Sequence, residues 1–383
     1  MLTAIAERPR LQTADEALAQ DAREYARRHG VGDDEAVRRL RAQEESVATT
    51  DRLAEIYRDR LAGIAIEHRP AYRIVMLLTG LEPVPDQTIY AGGMKVPVVF
   101  RTGAAATRDR LVAAIANNQA AIRSALPNAQ GMGVDPRTGE VVLLLKGADA
   151  GSHELAAIDA GLEAWTGVPV RVRVLDRPDA DFALSGGSRV EGVDPLDGRR
   201  YVCTTGFVVT NAQSTGVVTA AHCPDALTYH DPDEGEIPLS FVGQWGVAYQ
   251  DVQVHVSDRA QRPLFYADGD RRAVRTLTGA RRRTSTRAGD SVCHRGESSG
   301  YSCSEVELVD FAPPGDLCAG PCDPVWVTVT GPSCRAGDSG GPIFSGTTAF
   351  GIAKGGSYSG GACRFYYYMS TDFLPPGWSL LTG

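Results

Sequence analysis

The 383-residue chain carries 39 basic and 47 acidic residues, a formal net charge of −8, and is 43% hydrophobic and 22% charged. That length exceeds one compact unit and implies two or three, and the ordinary composition excludes a fibrous or disordered chain. Before residue 185 stand 23 basic and 26 acidic residues, after it 16 and 21, so neither half asks for nucleic acid; no apolar run of about 18 residues exists to span a membrane.

Taken in order, Thr13 with Glu16 makes a capping box, and Leu18, Ala22, Tyr25 and Ala26 recur at helical spacing until Gly30. Asp33 and Asp34 open a second helical stretch with Val37 and Leu40 on one side. Leu53, Ile56, Tyr57 and Leu61 mark a third that ends near Gly63. Residues 1–62 therefore read as a peripheral helical part. From Ile64 the period changes. Residues 64–67 and 72–78 flank a turn at His68-Arg69-Pro70 and predict a hairpin, and residues 96–100 a further strand. Residues 107–126 predict a helix with Leu111, Ile115, Ile122 and Leu126 on one face. A turn over 135–139 separates residues 131–134 from the buried strand 140–145. A helix over 154–165 and an alternating strand over 168–174 follow. Strands alternating with helices make residues 63–176 a small α/β (α+β) unit. His68, in its proline turn, is expected to be solvated or to cap, not to catalyse.

Residues 177–190, with Pro178, Asp179, Asp181, Gly186 and Gly187, read as an exposed linker, with Leu184-Ser185 the place expected for a maturation cut. Beyond it glycine is dense, 28 of 42 falling in the final 199 residues. Short β-rich runs at 207–210, 217–219, 252–256, 325–329 and 349–353 predict an all-β barrel or sandwich over 191–383. Arg271, Arg272, Arg275, Arg281, Arg282, Arg283 and Arg287 crowd into 17 residues. They are expected to form a solvated connection, the alternative being a dock for an acidic partner. All eight cysteines (Cys203, Cys223, Cys293, Cys303, Cys318, Cys322, Cys334 and Cys363) lie in this half, which fits a disulfide-stapled unit made in an oxidising compartment. Spacing alone does not choose their pairing. Cys318-Ala-Gly-Pro-Cys322 lacks the histidine or second close cysteine pair of a zinc site, so neither metal nor cofactor is expected.

Two motifs carry chemistry. A serine hydroxyl is a weak nucleophile until a neighbouring base takes its proton, and acyl transfer also needs N–H donors aimed at the developing oxyanion. Gly337-Asp338-Ser339-Gly340-Gly341-Pro342 suits the serine and its donors, because glycine lets the Gly337 and Ser339 amides face one point. Thr219-Ala220-Ala221-His222-Cys223, after the apolar pair Val217-Val218, supplies the base. Asp251 stands directly before the alternating run Val252, Val254, Val256 and is the candidate to hold the other imidazole nitrogen. The order His, Asp, Ser differs from that of α/β-hydrolases and subtilisins.

These residues resemble the chymotrypsin-fold serine proteases, and more closely their bacterial streptogrisin and alpha-lytic protease group. The resemblance takes in residues from about 201 to 380 as the protease, and more loosely much of 13–178 as that group's pro-region. It implies a double six-stranded β-barrel behind an α/β pro-region that chaperones folding and then occupies the active site. It implies His222, Asp251 and Ser339 as catalytic residues, the Gly337 and Ser339 amides as oxyanion hole, and Lys354-Gly355-Gly356 as the strand laid against the substrate backbone. The family usually has a serine, which supports the catalytic aspartate, where Lys354 stands. The implied disulfides are Cys203–Cys223, Cys293–Cys303 and Cys334–Cys363, leaving Cys318 with Cys322. The arginine that holds the aspartate beside the nucleophile would be Arg295, displaced by one position, as partner of Asp338. Pro332 and Ser333 stand where the trypsin-like branch has its specificity carboxylate, so an apolar or small residue is expected before the cut. Arg364 is expected to be solvated, and no Ile-Val-Gly-Gly start follows the linker. The implied activity is peptide hydrolysis on polypeptide substrates by an exported zymogen, extracellular or periplasmic, although no export signal is legible in residues 1–9. The alternative is a non-catalytic binding or inhibitory protein on a protease scaffold.

Overall fold

The structure, a computed structural model, describes residues 10–146, 161–175, 180–181, 187–195, 198–231, 235–257, 261–359 and 362–383. Leu184-Ser185 and most of the helix expected over 154–165 lie outside these residues; residues 161–166 are helical.

Helix Ala14–His29 starts where the Glu16 amide donates to Thr13 Oγ1 and the Thr13 amide to the Glu16 carboxylate, and it stops at Gly30 in the left-handed region (φ 68°). Helices Asp33–Glu45 and Val47–Ile56 follow. Ala42 and Leu53 pack on Ile66, Ile74, Met76, Val96 and Val98, residues of a four-stranded sheet ordered Leu61–Glu67, Arg73–Thr79, Met94–Ala104, Gln87–Ala91. Helix Arg108–Ala125, capped by Thr107, sets Leu111, Ile115 and Ile122 on Met132, Val134, Val141 and Leu143. These belong to a second sheet, ordered Val309–Ala312, Ala129–Asp135, Glu140–Lys146, Val170–Leu175. Its outermost strand thus comes from the other end of the chain.

From Arg189 onward the described chain is strands and short turns of 3-10 helix. Strands Ser240–Trp245, Val252–Val256, Thr215–Thr219, Val208–Thr210 and Ser379–Leu380 form one sheet, and Arg200–Thr204, Arg189–Val193, Leu227–Asp231 and Gly235–Pro238 another. The remaining path runs Gly300–Glu305, Ser291–Gly296, Pro342–Ser345, Thr348–Ser359, Ala362–Ser370, Val327–Thr330. A bridge between Val306 and Val329 links its two ends, so these six strands close on themselves. Val209, Val218, Val252 and Val254 meet Ile352, Trp326, Phe365 and Met369 in one core between the two systems. The architecture is the one expected: β-barrels behind an α/β region.

The arginine-rich run departs from expectation. Arg275, Arg281, Arg283 and Arg287 are buried, because their partners lie in the N-terminal part as well as nearby. Arg275 makes a two-pronged pair with Asp21 (2.9 and 3.0 Å), Arg281 meets Glu44 and Asp290, and Arg287 donates to Ser46 Oγ and the Gln43 carbonyl. The acidic partner is this chain's own first helices. His68 is likewise buried, not solvated: Nδ1 meets the Tyr25 hydroxyl at 2.7 Å and Nε2 the Gly289 carbonyl at 2.8 Å.

Candidate active site

Strand Thr215–Thr219 runs antiparallel to Val252–Val256, with Thr219 opposite Gln253. His222, just past the end of one strand, and Asp251, just before the other, therefore emerge side by side. Gln253 Nε2 donates to the carbonyls of Ala220 (2.8 Å) and Cys223 (3.0 Å), and the Cys203–Cys223 disulfide anchors the same turn. His222 Nδ1 lies 2.9 and 3.2 Å from the two Asp251 carboxylate oxygens, and its backbone N–H donates to Oδ1 at 3.2 Å. Its Nε2 lies 2.8 Å from Ser339 Oγ.

Ser339 sits in a turn tied to both β-systems. The Thr204 amide donates to the Ser339 carbonyl (2.8 Å), Thr204 Oγ1 to the Gly337 carbonyl (3.1 Å), and the Gly340 amide to the Ala353 carbonyl (2.8 Å). Gly340 has φ +84°, and a Cβ there would lie 2.2 Å from the Thr204 carbonyl oxygen. No other residue fits that position. Gly337 has φ +117°, the conformation that turns the segment just ahead of Ser339.

Asp251 is 3% exposed. Burial pushes its carboxyl up, but the His222 and Lys354 charges outweigh that and hold it well below the usual carboxylate range. Asp338, next to the nucleophile, goes the other way: burial pushes it up to about 6 against the pull of its hydrogen bonds. Its partners are the amides of Ser299 (3.1 Å) and Arg335 (2.8 Å). The expected pairing with Arg295 is not made, because that guanidinium turns to Glu297 (3.0 Å) and the Asp268 carbonyl.

The Lys354 side chain is 2% exposed, with Nζ 3.4 Å from Asp251 Oδ2 and 5.4 Å from the centre of the Trp326 ring, so it meets the carboxylate that a serine supports at this position in the family resembled. The signal was a lone cation ending the run Ala349-Phe350-Gly351-Ile352-Ala353, on a strand buried in that stretch. Gly355 and Gly356 pair antiparallel with Asp181 and Ala180, so a segment of the chain's own linker adds a strand here. All four disulfides join the pairs named above, Cys318–Cys322 included. Arg364 is exposed. Gln253, Thr204 and Ser299, which brace the site, carried no sequence signal.

An alcohol, an imidazole and a buried carboxylate in one hydrogen-bonded line make a serine nucleophilic. No protein-family model matches the chain. By sequence it is similar to Streptogrisin-C of Streptomyces griseus, 27% identical over 256 residues, 65% of this chain and 51% of that protein. The resemblance to the bacterial chymotrypsin-fold serine proteases is thus borne out by a sequence relative. The chain spans about half the length of that relative. Among solved structures, Thermobifida fusca Protease A is 22% identical with a TM-score of 0.40, covering 52% of this chain and 99% of its own. Nocardiopsis protease is 22% identical at 0.41, with the same coverage.

Proposed function

We propose that this chain is a serine endopeptidase synthesised as a zymogen. Ser339 attacks the peptide carbonyl, His222 takes its proton and returns it to the leaving amine, and Asp251 orients the imidazole. The Gly337 and Ser339 amides receive the oxyanion, and an acyl-enzyme on Ser339 is then hydrolysed. The N-terminal part assists folding and blocks the site until it is cut from the protease near residue 184, after export to an oxidising compartment. Among the described residues no helix is long and apolar enough to cross a membrane. The observation that carries the reading is the line of 2.8 and 2.9 Å contacts from Ser339 through His222 to Asp251. The strand that Ala180 and Asp181 add beside Gly356 and Gly355 supports the inhibitory role, since an extended peptide would compete for the same edge.

A fluorophosphonate probe applied after cleavage near residue 184, by the chain itself or by an added protease, is expected to label Ser339, with labelling lost in Ser339→Ala and in His222→Ala. Intact mass is expected to show a cut near residue 184 in the wild type and none in Ser339→Ala. Labelling of His222→Ala at the wild-type rate would overturn the relay, and a wild type that is not labelled would favour a scaffold without catalysis.

A further inference from the structure

We propose that Lys354 is a positioning residue of this site: its buried ammonium pairs with Asp251 and lowers the pH from which His222 is able to accept the Ser339 proton. The inference rests on the endopeptidase reading above. Lys354 Nζ is 3.4 Å from Asp251 Oδ2, the same oxygen that His222 Nδ1 meets at 2.9 Å. Both Lys354 and Asp251 are almost wholly enclosed, with side chains 2% exposed. Strand Thr348–Ser359 carries the lysine, and the indole of Trp326 lies 5.4 Å from the ammonium, so its reach is limited by packing and by a ring that itself attracts cations. The Asp251 backbone N–H donates to Met369 Sδ at 3.3 Å, which ties down the backbone that carries the carboxylate.

Charge does the rest. A carboxylate beside an imidazole favours the imidazolium, and so delays its use as a base until higher pH. A cation on the same carboxylate cancels much of that effect, and at this burial the cancellation is weakly screened. Among the described residues, Asp251 and Ser339 are the groups hydrogen-bonded to the His222 ring, and Lys354 meets the same carboxylate. The lysine also holds Oδ2, so the carboxylate has less freedom to turn away from the ring. The expected outcome is a protease whose proton relay is already poised in mildly acidic medium.

The test is the pH dependence of fluorophosphonate inactivation of the protein expressed full-length and then cleaved near residue 184, for the wild type and for Lys354→Ser, Lys354→Gln and Lys354→Arg. Both neutral variants are expected to move the acid limb upward by about one pH unit, a roughly tenfold loss of rate below the limb. Lys354→Arg keeps the charge and is expected to leave the limb in place. A limb that stays put in a folded neutral variant overturns the inference. Neutral variants that fail to fold while Lys354→Arg folds make the ammonium a structural counter-ion and overturn its positioning role. Failure of all three marks Lys354 as a packing residue and overturns it. A wild-type chain that no probe labels at any pH would instead remove the endopeptidase reading itself.

Discussion

The ion pair of Asp21 with Arg275 measures how firmly the N-terminal part is held. Arg275 is fully buried, and its guanidinium donates to both Asp21 oxygens (2.9 and 3.0 Å), to Gln12 Oε1 (2.9 Å) and to the Gly346 carbonyl (2.9 Å). Asp21 also accepts from the Tyr301 hydroxyl and the Gly346 amide, each at 2.7 Å. Asp21→Ala would leave a buried cation without its counter-ion, a loss of about 3–5 kcal/mol. That corresponds to a rise of roughly 10²-fold to 5 × 10³-fold in the open population of the seam. Hydrogen exchange followed by mass spectrometry, in the full-length Ser339→Ala background, reads this directly. Amides bonded across the seam, Ile66 to the Ala288 carbonyl and Arg10 to the Arg272 carbonyl, are expected to exchange faster by that factor. Those of strand Val252–Val256 are expected to be unmoved. The double variant Asp21→Ala/Arg275→Leu is expected to recover most of the protection, because two apolar groups leave no orphaned charge. Acceleration below about fivefold, or a double variant as open as the single one, refutes the reasoning.

Asp251→Asn is expected to lower peptidase kcat/KM by about 10⁴ while leaving KM nearly unchanged, the magnitude being the one established for this class of triad; a loss under tenfold would remove Asp251 from the relay. Asp338 gives a pH signature in stability. Its carboxyl is pushed from 3.8 to about 6 in the folded state, so the folded chain binds that proton more tightly than the unfolded chain. Its contribution is therefore fully present below about pH 4 and lost as pH rises through about 6, a change of about 3 kcal/mol. Urea unfolding of Ser339→Ala, compared with Ser339→Ala/Asp338→Asn between those limits, is expected to show a difference that varies with pH. A constant difference refutes it.

Local chemistry made much of this fold legible. The capping box at Thr13, the left-handed stop at Gly30 and the face of Leu111, Ile115 and Ile122 are short-range signals, and the structure bears them out. The candidate site was legible for the same reason: Gly337–Pro342 constrains its own turn, His222 follows the apolar pair Val217-Val218, and Asp251 adjoins the alternating run Val252, Val254, Val256. What escaped was long-range. The destination of Arg275 depends on Asp21, 254 residues away, and no local pattern tells a buried guanidinium from a solvated one. Arg295 departed for a like reason: a family position suggested Asp338, and the packing around the guanidinium chose Glu297.

The strand Val309–Ala312 has a consequence for the life of the molecule. It completes the sheet of Ala129–Asp135, with Val309 opposite Val134 and Ala312 opposite Met132, and between them Asp310 binds Arg108 and Arg283 while Phe311 lies against Gly131. Were the two parts to separate, each would be left with a raw strand edge and an unmet half of a charge cluster, the features by which chains stick to one another. Release would then need destruction of the detached piece to be irreversible, and the freed protease would need its own way to shield that border.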